Sequence, residues 1–284
     1  MDLKTILVPV DFSANATNAL RYAIQFAQVT KSKLVVFHSN YLPYTFPSPK
    51  IKKIHEQSEG RKQLMLEYIV TTTCKKYKLK KPADVVYLVE RETSIIDNIL
   101  AAAETTQSGL IIMGTHGATG FKKVMFGSNT SAVIEKSEVP VFAIPPRHKF
   151  KKIGTIVYAS DLKNIANELK TLIPIARPFD ATVEILYLDY WNKGVDEKTF
   201  KQLNDTINKS QYKKIKFIQK EVKIKRTMEE HLKRYVKKRK NSILTMFPEN
   251  QNFFEKLFFS SVTKDLSFNL NKPLLSIRKD LDNQ

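Results

Sequence analysis

Residues 110–130 read LIIMGTHGATGFKKVMFGSNT, an apolar run followed by a glycine-rich segment and a polar tetrapeptide. Five of the chain's eight glycines fall between positions 109 and 127: Gly109, Gly114, Gly117, Gly120 and Gly127. A glycine-rich loop after a buried strand lets backbone N–H groups approach an anion closely. A helix that begins at Ser128 would add a hydroxyl, free amides and the positive end of its dipole. The stretch therefore predicts a phosphate-binding turn between a strand and a helix.

Strand and helix patterns alternate on both sides of this stretch. The predicted strands are Thr5–Val10, Leu34–His38, Val85–Val89, Leu110–Met113 and Val141–Ile144. Three of the predicted helices are Asn15–Lys31, Lys52–Tyr77 and Ser128–Lys136. A fourth ends at Ala103 and begins after a cap at Thr93 or Ser94. Apolar strands that alternate with helices indicate a parallel sheet covered on both faces. We predict a doubly wound, Rossmann-like α/β domain with five strands in the order 3-2-1-4-5.

The second half of the chain repeats this pattern. Residues 154–162 echo residues 4–12 at a shift of 150 positions, and Ile243–Met246 matches Leu110–Met113 at a shift of 133. Repetition over this length indicates duplication of a whole domain. We predict two tandem domains, 1–147 and 151–284.

The two shifts differ by 17 positions (150 − 133), so the second copy is shorter in its middle. We place the deletion in Tyr41–Gly60, where Pro43, Pro47 and Pro49 indicate a loop that the second copy lacks. The domain boundary should fall in Pro145–Phe150, which has two prolines followed by basic residues.

The predicted strand order brings two parts of the chain to one cleft. Strands 1 and 4 flank the point where the order reverses, and ligands bind there at the carboxyl ends of the strands. Asp11 and the Gly114 loop would then lie on opposite sides of the cleft. Asp11 has an alternative, compatible role as a cap of the following helix, for which Ser13 and Asn15 compete. The loop has no Gly-Lys-Ser/Thr sequence and does not follow the first strand, so it matches neither a Walker A nor a dinucleotide fingerprint.

The pattern Gly114-x2-Gly117-x9-Gly127-Ser128 resembles the nucleotide-binding signature of the universal stress protein family. Residues 6–13 resemble the family's first strand, residues 111–117 its fourth strand and loop, and residues 140–144 its closing strand. Residues 152–279 resemble the same fold more weakly. The resemblance implies a tandem universal stress protein that binds ATP, with or without Mg²⁺, in its N-terminal domain.

The resemblance also implies which residues form the site. Pro9, Val10 and Asp11 would line the adenosine side, Ser39 would lie near the adenine through its backbone, and Met113 and Gly114 would lie by the ribose. His116, Gly117, Gly127, Ser128, Asn129 and Thr130 would hold the phosphates. His116 has the alternative of an ordinary surface contact in a loop. A side chain at Gly127 would intrude on the phosphates, and it would also strain the turn if that position has a positive φ.

The second copy departs from the signature. At the shift of 133, Phe247 replaces Gly114, Asn250 replaces Gly117 and Ser260 replaces Gly127. The ring of Phe247, followed by a proline without an N–H, removes the open nest of amides. We therefore expect at most one nucleotide per chain. The resemblance further implies that the two domains pair through their closing strands, and it leaves a homodimer open.

Composition and charge restrict the classes of protein to which the chain can belong. A hydrophobic fraction of 42% favours a globular chain, and no apolar run approaches the ~20 residues of a membrane span. We read no signal peptide at the N-terminus, and the one cysteine cannot form an internal disulfide, so we expect a cytoplasmic protein.

The net charge is +19, and residues 213–240 carry thirteen Lys/Arg against three Glu. Few aromatic residues suited to base stacking accompany this patch, so we expect a solvated face rather than a nucleic-acid site.

Three classes of function remain open from the sequence. The leading hypothesis is a nucleotide-binding protein of stress response or signalling that acts on an unknown protein partner. The alternatives are a scaffold that binds a partner without nucleotide and a slow ATPase. We find no paired acids near the loop for metal-assisted hydrolysis, and we assign no catalytic residue.

Overall fold

The computed structural model describes residues 3–39, 49–90, 94–115, 127–190, 192–222, 227–247 and 272–278. The chain divides into two compact units, residues 2–150 and residues 151–284, which we call the N-terminal and C-terminal domains. None of the described helices contains a stretch long and apolar enough to cross a membrane.

The N-terminal domain is a parallel sheet with helices between its strands. Its strands are β1 (Thr5–Pro9), β2 (Lys33–Ser39), β3 (Val85–Glu90), β4 (Leu110–Gly114) and β5 (Val141–Ile144). Its helices are α1 (Ala14–Thr30), α2 (Pro49–Tyr77), α3 (Ile95–Thr105) and α4 (Ser128–Lys136). The strands pair in parallel in the order β3-β2-β1-β4-β5, which confirms the predicted fold class and strand order.

The C-terminal domain follows the same plan. Its described elements are β6 (Thr155–Ala159), α5 (Ile165–Ala176), β7 (Thr182–Asp189), α6 (Glu197–Lys209), β8 (Ile215–Glu221), α7 (Met228–Lys237), β9 (Ser242–Met246) and β10 (Leu274–Ser276). These strands pair in parallel in the order β8-β7-β6-β9-β10. The order is that of the first sheet with each strand replaced by its repeat, as a duplicated domain requires.

The predicted deletion falls in a helix from Pro49 onward, so its description as a loop is wrong there. The structure has helix from Pro49 onward, because proline is tolerated in the first turn, where its missing N–H has no partner to lose. Helix α2 has 29 residues and helix α6 has 13, a difference of 16. The segments before these helices, residues 40–48 and 190–196, have similar lengths. The second copy is therefore shorter mainly because its helix is shorter.

The core of the N-terminal domain is built by α1 on the sheet. Ala19, Leu20, Ala23 and Ile24 are fully buried, and the small alanines let the helix lie close to the strands. Tyr22 also lies in the core, where its ring contacts Phe142 edge-on at 5.5 Å. Burial raises the pKa of the Tyr22 phenol.

A tight turn joins β1 to α1. The Asp11 Oδ1 accepts a hydrogen bond from the Ser13 backbone N–H at 3.0 Å, and Phe12 between them has a left-handed φ of 61°. The Ser13 hydroxyl accepts from the Ala16 N–H at 3.1 Å and caps α1. Of the residues that compete for the cap, Ser13 therefore holds it, and Asp11 holds the turn.

The C-terminal domain repeats this turn between β6 and α5. The Asp161 Oδ1 accepts from the Lys163 N–H at 3.0 Å, and Leu162 has a left-handed φ of 67°. Positive φ is uncommon for residues with a side chain. The same backbone in both domains is therefore held by the same local aspartate.

Candidate functional site

A cavity of about 330 Å³ lies at the carboxyl ends of β1, β2 and β4. The ends of these strands, the first turns of α3 and the N-terminus of α4 supply its walls. The lining residues are Pro9, Val10, Asp11, Ala16, Phe37, His38, Ser39, Ile95, Ile99, Met113, Gly114, Gly127, Ser128, Asn129 and Thr130. The cavity occupies the point where the strand order reverses, which is the usual ligand site of an open α/β sheet.

Ten of the twelve residues predicted for the site line this cavity. They are Pro9, Val10, Asp11, Ser39, Met113, Gly114, Gly127, Ser128, Asn129 and Thr130. His116 and Gly117 lie outside the described residues. The structure thus brings together positions from three strands and one helix, and their binding of a nucleotide stays a prediction.

The N-terminus of α4 forms one end of the cavity. Gly127 is its N-cap residue and has no side chain with which to cap the helix, while Ser128 and Asn129 are exposed. The first amides of a helix have no partner within the helix and carry the positive end of its dipole. This end of the cavity therefore presents N–H donors and a partial positive charge.

Two hydrogen bonds hold this helix end against β4. The Gly127 N–H donates to the Thr115 carbonyl at 2.6 Å, and the buried Thr130 hydroxyl donates to the Gly114 carbonyl at 2.8 Å. The Thr130 hydroxyl is thus engaged with the backbone. The turn of the chain into α4 is fixed on the strand that precedes the loop.

His38 lines the cavity and was not predicted. Its Nδ1 lies 2.7 Å from the Val10 carbonyl, which can only accept, so Nδ1 carries the proton of the neutral ring. Burial lowers the pKa of His38, the hydrogen bond to Val10 and the charge of Asp11 oppose this shift, and Lys62 adds to it. The Phe12 ring lies 4.6 Å from the imidazole, between centroids. The position of His38, one residue before Ser39 at the end of a predicted strand, was the available signal.

Ile95 and Ile99 also escaped prediction. They lie four residues apart in α3, so one face of the helix presents both to the cavity. With Val10 and Phe37 they form an apolar wall at the ends of β1 and β2, which we call the apolar end of the cavity. The signal in the sequence was their helical spacing after the Ser94 cap, whose hydroxyl accepts from the Asp97 N–H at 3.3 Å.

The described residues contain no cluster of three or more His, Cys, Asp or Glu side chains that could hold a metal ion. Cys74 is buried, and burial raises the pKa of its thiol. A site in the described part of the chain that binds Mg²⁺ would therefore need oxygen ligands from elsewhere, such as phosphates and water.

A smaller cavity of about 170 Å³ lies at the corresponding place in the C-terminal domain. Phe247 follows β9 as Gly114 ends β4, and its ring meets the Tyr158 ring edge-on at 5.3 Å. Most of the lining is apolar or aromatic: Tyr158, Ala159, Leu186, Tyr187, Leu188, Met228, Leu232, Met246 and Phe247, with Ser160, Asp161 and Glu168. The predicted replacement of Gly114 by a bulky ring is thus seen in the described part of this site. Asn250 and Ser260 lie outside the described residues.

Comparison with known proteins identifies a family for the N-terminal domain. The model of the universal stress protein family matches residues 2–145. The universal stress protein MJ0577 of Methanocaldococcus jannaschii is 26% identical over 154 residues, which cover 50% of this chain and 94% of that protein. The residues that the family model matches form the domain with the glycine-rich loop.

Solved structures extend the likeness to the whole chain. A universal stress protein from Archaeoglobus fulgidus matches 99% of this chain and 100% of its own, with a TM-score of 0.70 and 17% identity. Protein PA1789 of Pseudomonas aeruginosa, described as functionally unknown, matches 98% of this chain and 93% of its own, with a TM-score of 0.56 and 14% identity. At these identities the matches show the fold alone.

Proposed function

The chain belongs to the universal stress protein family, and from that premise we propose that its N-terminal domain binds ATP in the 330 Å³ cavity and acts in stress response or signalling. The observation that carries the proposal is one cavity with two chemically different ends. A helix N-terminus with glycine as its N-cap residue forms one end, and apolar side chains form the other.

The helix end of the cavity suits the phosphates. Backbone N–H groups at the start of α4 can donate to phosphate oxygens, and the helix dipole favours their negative charge. Each such charge-assisted hydrogen bond contributes roughly 1.5–3 kcal/mol. The N-cap residue Gly127 has no side chain of its own that could stand between these donors and a ligand.

The apolar end of the cavity suits the base. Val10, Phe37 and Ile99 are buried side chains that would exchange water contact for contact with a planar ring. Pockets for small molecules are commonly apolar with a few placed polar groups, and their volumes start at about 300 Å³. The cavity meets both conditions.

The strand order sets the distance between the two ends. Strand β1 lies between β2, which ends at Ser39, and β4, which leads toward α4. Neighbouring strands lie about 4.8 Å apart, so the two ends are separated by roughly 10 Å. A nucleotide separates its base from its outer phosphates by a comparable distance, which lets one ligand reach both ends.

The test is a calorimetric titration of the full chain with ATP, in the presence of Mg²⁺ and again with EDTA. We expect saturable binding of at most one ATP per chain, because Phe247 occupies the corresponding place in the second domain. Mass spectrometry of molecules released from the denatured protein would identify any nucleotide that copurifies. Two equivalent sites would contradict our interpretation of the second domain, and no binding in either buffer would favour the scaffold hypothesis.

A further inference from the structure

Ser39 and Asn98 form a hydrogen-bonded pair at the apolar end of the cavity. Ser39 ends β2 and lines the cavity, whereas Asn98 lies in α3 next to Ile99 and is fully buried. The Asn98 Nδ2 donates to the Ser39 Oγ over 2.7 Å. The pair thus joins a strand to the helix that closes this end of the cavity.

This bond fixes what the Ser39 hydroxyl can offer to a ligand. A hydroxyl has one proton to donate and accepts through its oxygen. Asn98 donates to that oxygen, and Asn98 is the only side-chain partner of this hydroxyl among the described residues. The hydroxyl proton therefore remains available to donate into the cavity.

Asn98 has one buried polar atom, its Oδ1, without a hydrogen-bond partner among the described residues. Buried polar atoms without partners are rare in folded proteins and call for an explanation. Such exceptions to local stability are expected where a function requires the group.

The C-terminal domain lacks the pair at the corresponding positions. Leu188 occupies the position of Ser39 on the repeated strand, and His231 occupies the position of Asn98 on the repeated helix. Leu188 has no hydroxyl to offer to the smaller cavity that it lines. The pair thus occurs in the domain that carries the glycine-rich loop.

We propose that the Ser39 hydroxyl, oriented by Asn98, donates a hydrogen bond to a ring nitrogen of the adenine and so contributes to recognition of the base. The inference rests on the proposed function. Adenine has three unprotonated acceptor nitrogens, N1, N3 and N7, and a fixed donor can pair with one of them. Ser39 is then a binding residue, and Asn98 is a positioning residue.

The experiment compares ATP with 1-deaza-, 3-deaza- and 7-deaza-ATP by calorimetry in the parent and in Ser39→Ala. We expect Ser39→Ala to bind ATP about threefold to tenfold more weakly, the loss of one hydrogen bond between neutral groups. In the parent, one deaza analogue should bind more weakly than ATP by the same factor. In Ser39→Ala, that analogue should bind as tightly as ATP does. This coupling identifies the nitrogen, and a structural effect of the substitution would not produce it.

Ser32→Ala is the matched control. Ser32 precedes the same strand at the opposite edge of the sheet, and its buried hydroxyl donates to the Leu3 carbonyl. This variant should keep the parent's affinity for ATP and for all three analogues. Parent-like affinity of Ser39→Ala, or an equal loss for ATP and every analogue, would overturn the inference and leave the proposed function intact.

Asn98→Leu tests the positioning role. Leucine has a similar shape but no amide group to donate to the Ser39 hydroxyl, which then loses its fixed orientation. We expect a loss of ATP affinity no greater than that of Ser39→Ala and no further loss in the double variant, whereas parent-like affinity of Asn98→Leu would contradict the positioning role. If Asn98→Leu does not fold, the analogue series on Ser39→Ala decides alone. A parent protein that binds no ATP would overturn the proposed function and the inference together.

Discussion

Gly127 has φ −64° and ψ 158°, an extended conformation that any residue can adopt. The condition of a positive φ, under which a side chain would strain this turn, is therefore not met. A substitution at Gly127 acts on the space beside the α4 N-terminus and on the helix cap. Because backbone strain does not contribute, substitution of Gly127 tests the proposed phosphate site.

Gly127→Val should weaken ATP binding at least tenfold, because a branched side chain would hold the phosphates away from the first amides of α4. Each charge-assisted hydrogen bond lost contributes roughly 1.5–3 kcal/mol. Calorimetry measures the effect after circular dichroism has shown that the variant folds. Gly154→Val is the control, since a Cβ there meets only ordinary contacts at 3.8 Å or more. Equal affinity of the two variants would contradict the assignment of the loop.

His38 makes the stability of the N-terminal domain depend on pH. Burial is the main reason that its folded pKa lies below the usual 6.5. The unfolded chain then binds the proton more tightly, so this contribution to stability is complete above about pH 6.5 and is lost as the pH falls toward the folded pKa.

His38→Asn should flatten the decline in the free energy of unfolding between about pH 7 and pH 5, because the amide does not titrate and can still donate to the Val10 carbonyl. Urea unfolding at several pH values measures the two curves. An unchanged slope in the variant would show that other groups dominate the decline.

At the scale of elements, α2 carries a glycine that its helix does not need. Gly60 lies within α2, and a Cβ there would meet nothing within 4 Å. Glycine inside a helix is less favourable than alanine by roughly 0.5–1 kcal/mol, because it loses more backbone freedom on folding.

Gly60→Ala should therefore raise the free energy of unfolding by about 0.5–1 kcal/mol and leave ATP affinity unchanged. Chemical denaturation and calorimetry measure the two quantities separately. A decrease in stability would mean that the alanine methyl meets an unfavourable contact that the open surroundings do not reveal.

The strands and most helices could be predicted because their patterns are local. One half of the cavity could be predicted from local sequence alone. The signals were the apolar run Leu110–Met113 and the donor-rich start of α4. Ile95 and Ile99 reach the cavity only because α3 crosses beside β2, which no local pattern reports. The start of α2 was missed because Pro49 signals a loop and a first helical turn equally well.

At the scale of the whole molecule, the two domains share a strand order and differ in their sites. The A. fulgidus structure covers nearly all of this chain, so the fold of both domains has a solved counterpart. The pairing of the domains through their closing strands stays a prediction from the sequence. The single tryptophan, Trp191, belongs to the C-terminal half and provides a way to test it.

If the domains share an interface, ATP bound to the N-terminal domain should also raise the thermal midpoint of the C-terminal domain, because unfolding one domain would expose the other. Tryptophan fluorescence follows the C-terminal domain alone, and circular dichroism follows both. If ATP shifts part of the circular dichroism transition but leaves the thermal midpoint by fluorescence unchanged, that result would contradict the shared interface.

The turn held by Asp11 and Asp161 has a consequence for the classification of other sequences. The C-terminal domain keeps the aspartate and the left-handed residue after it, although Phe247 stands where the other domain has Gly114. The architecture of the turn is sufficient reason for an aspartate to persist at this position. When unstudied chains of this fold are sorted into nucleotide binders and non-binders, this aspartate should carry no weight, and the glycines after the fourth strand should carry most of it.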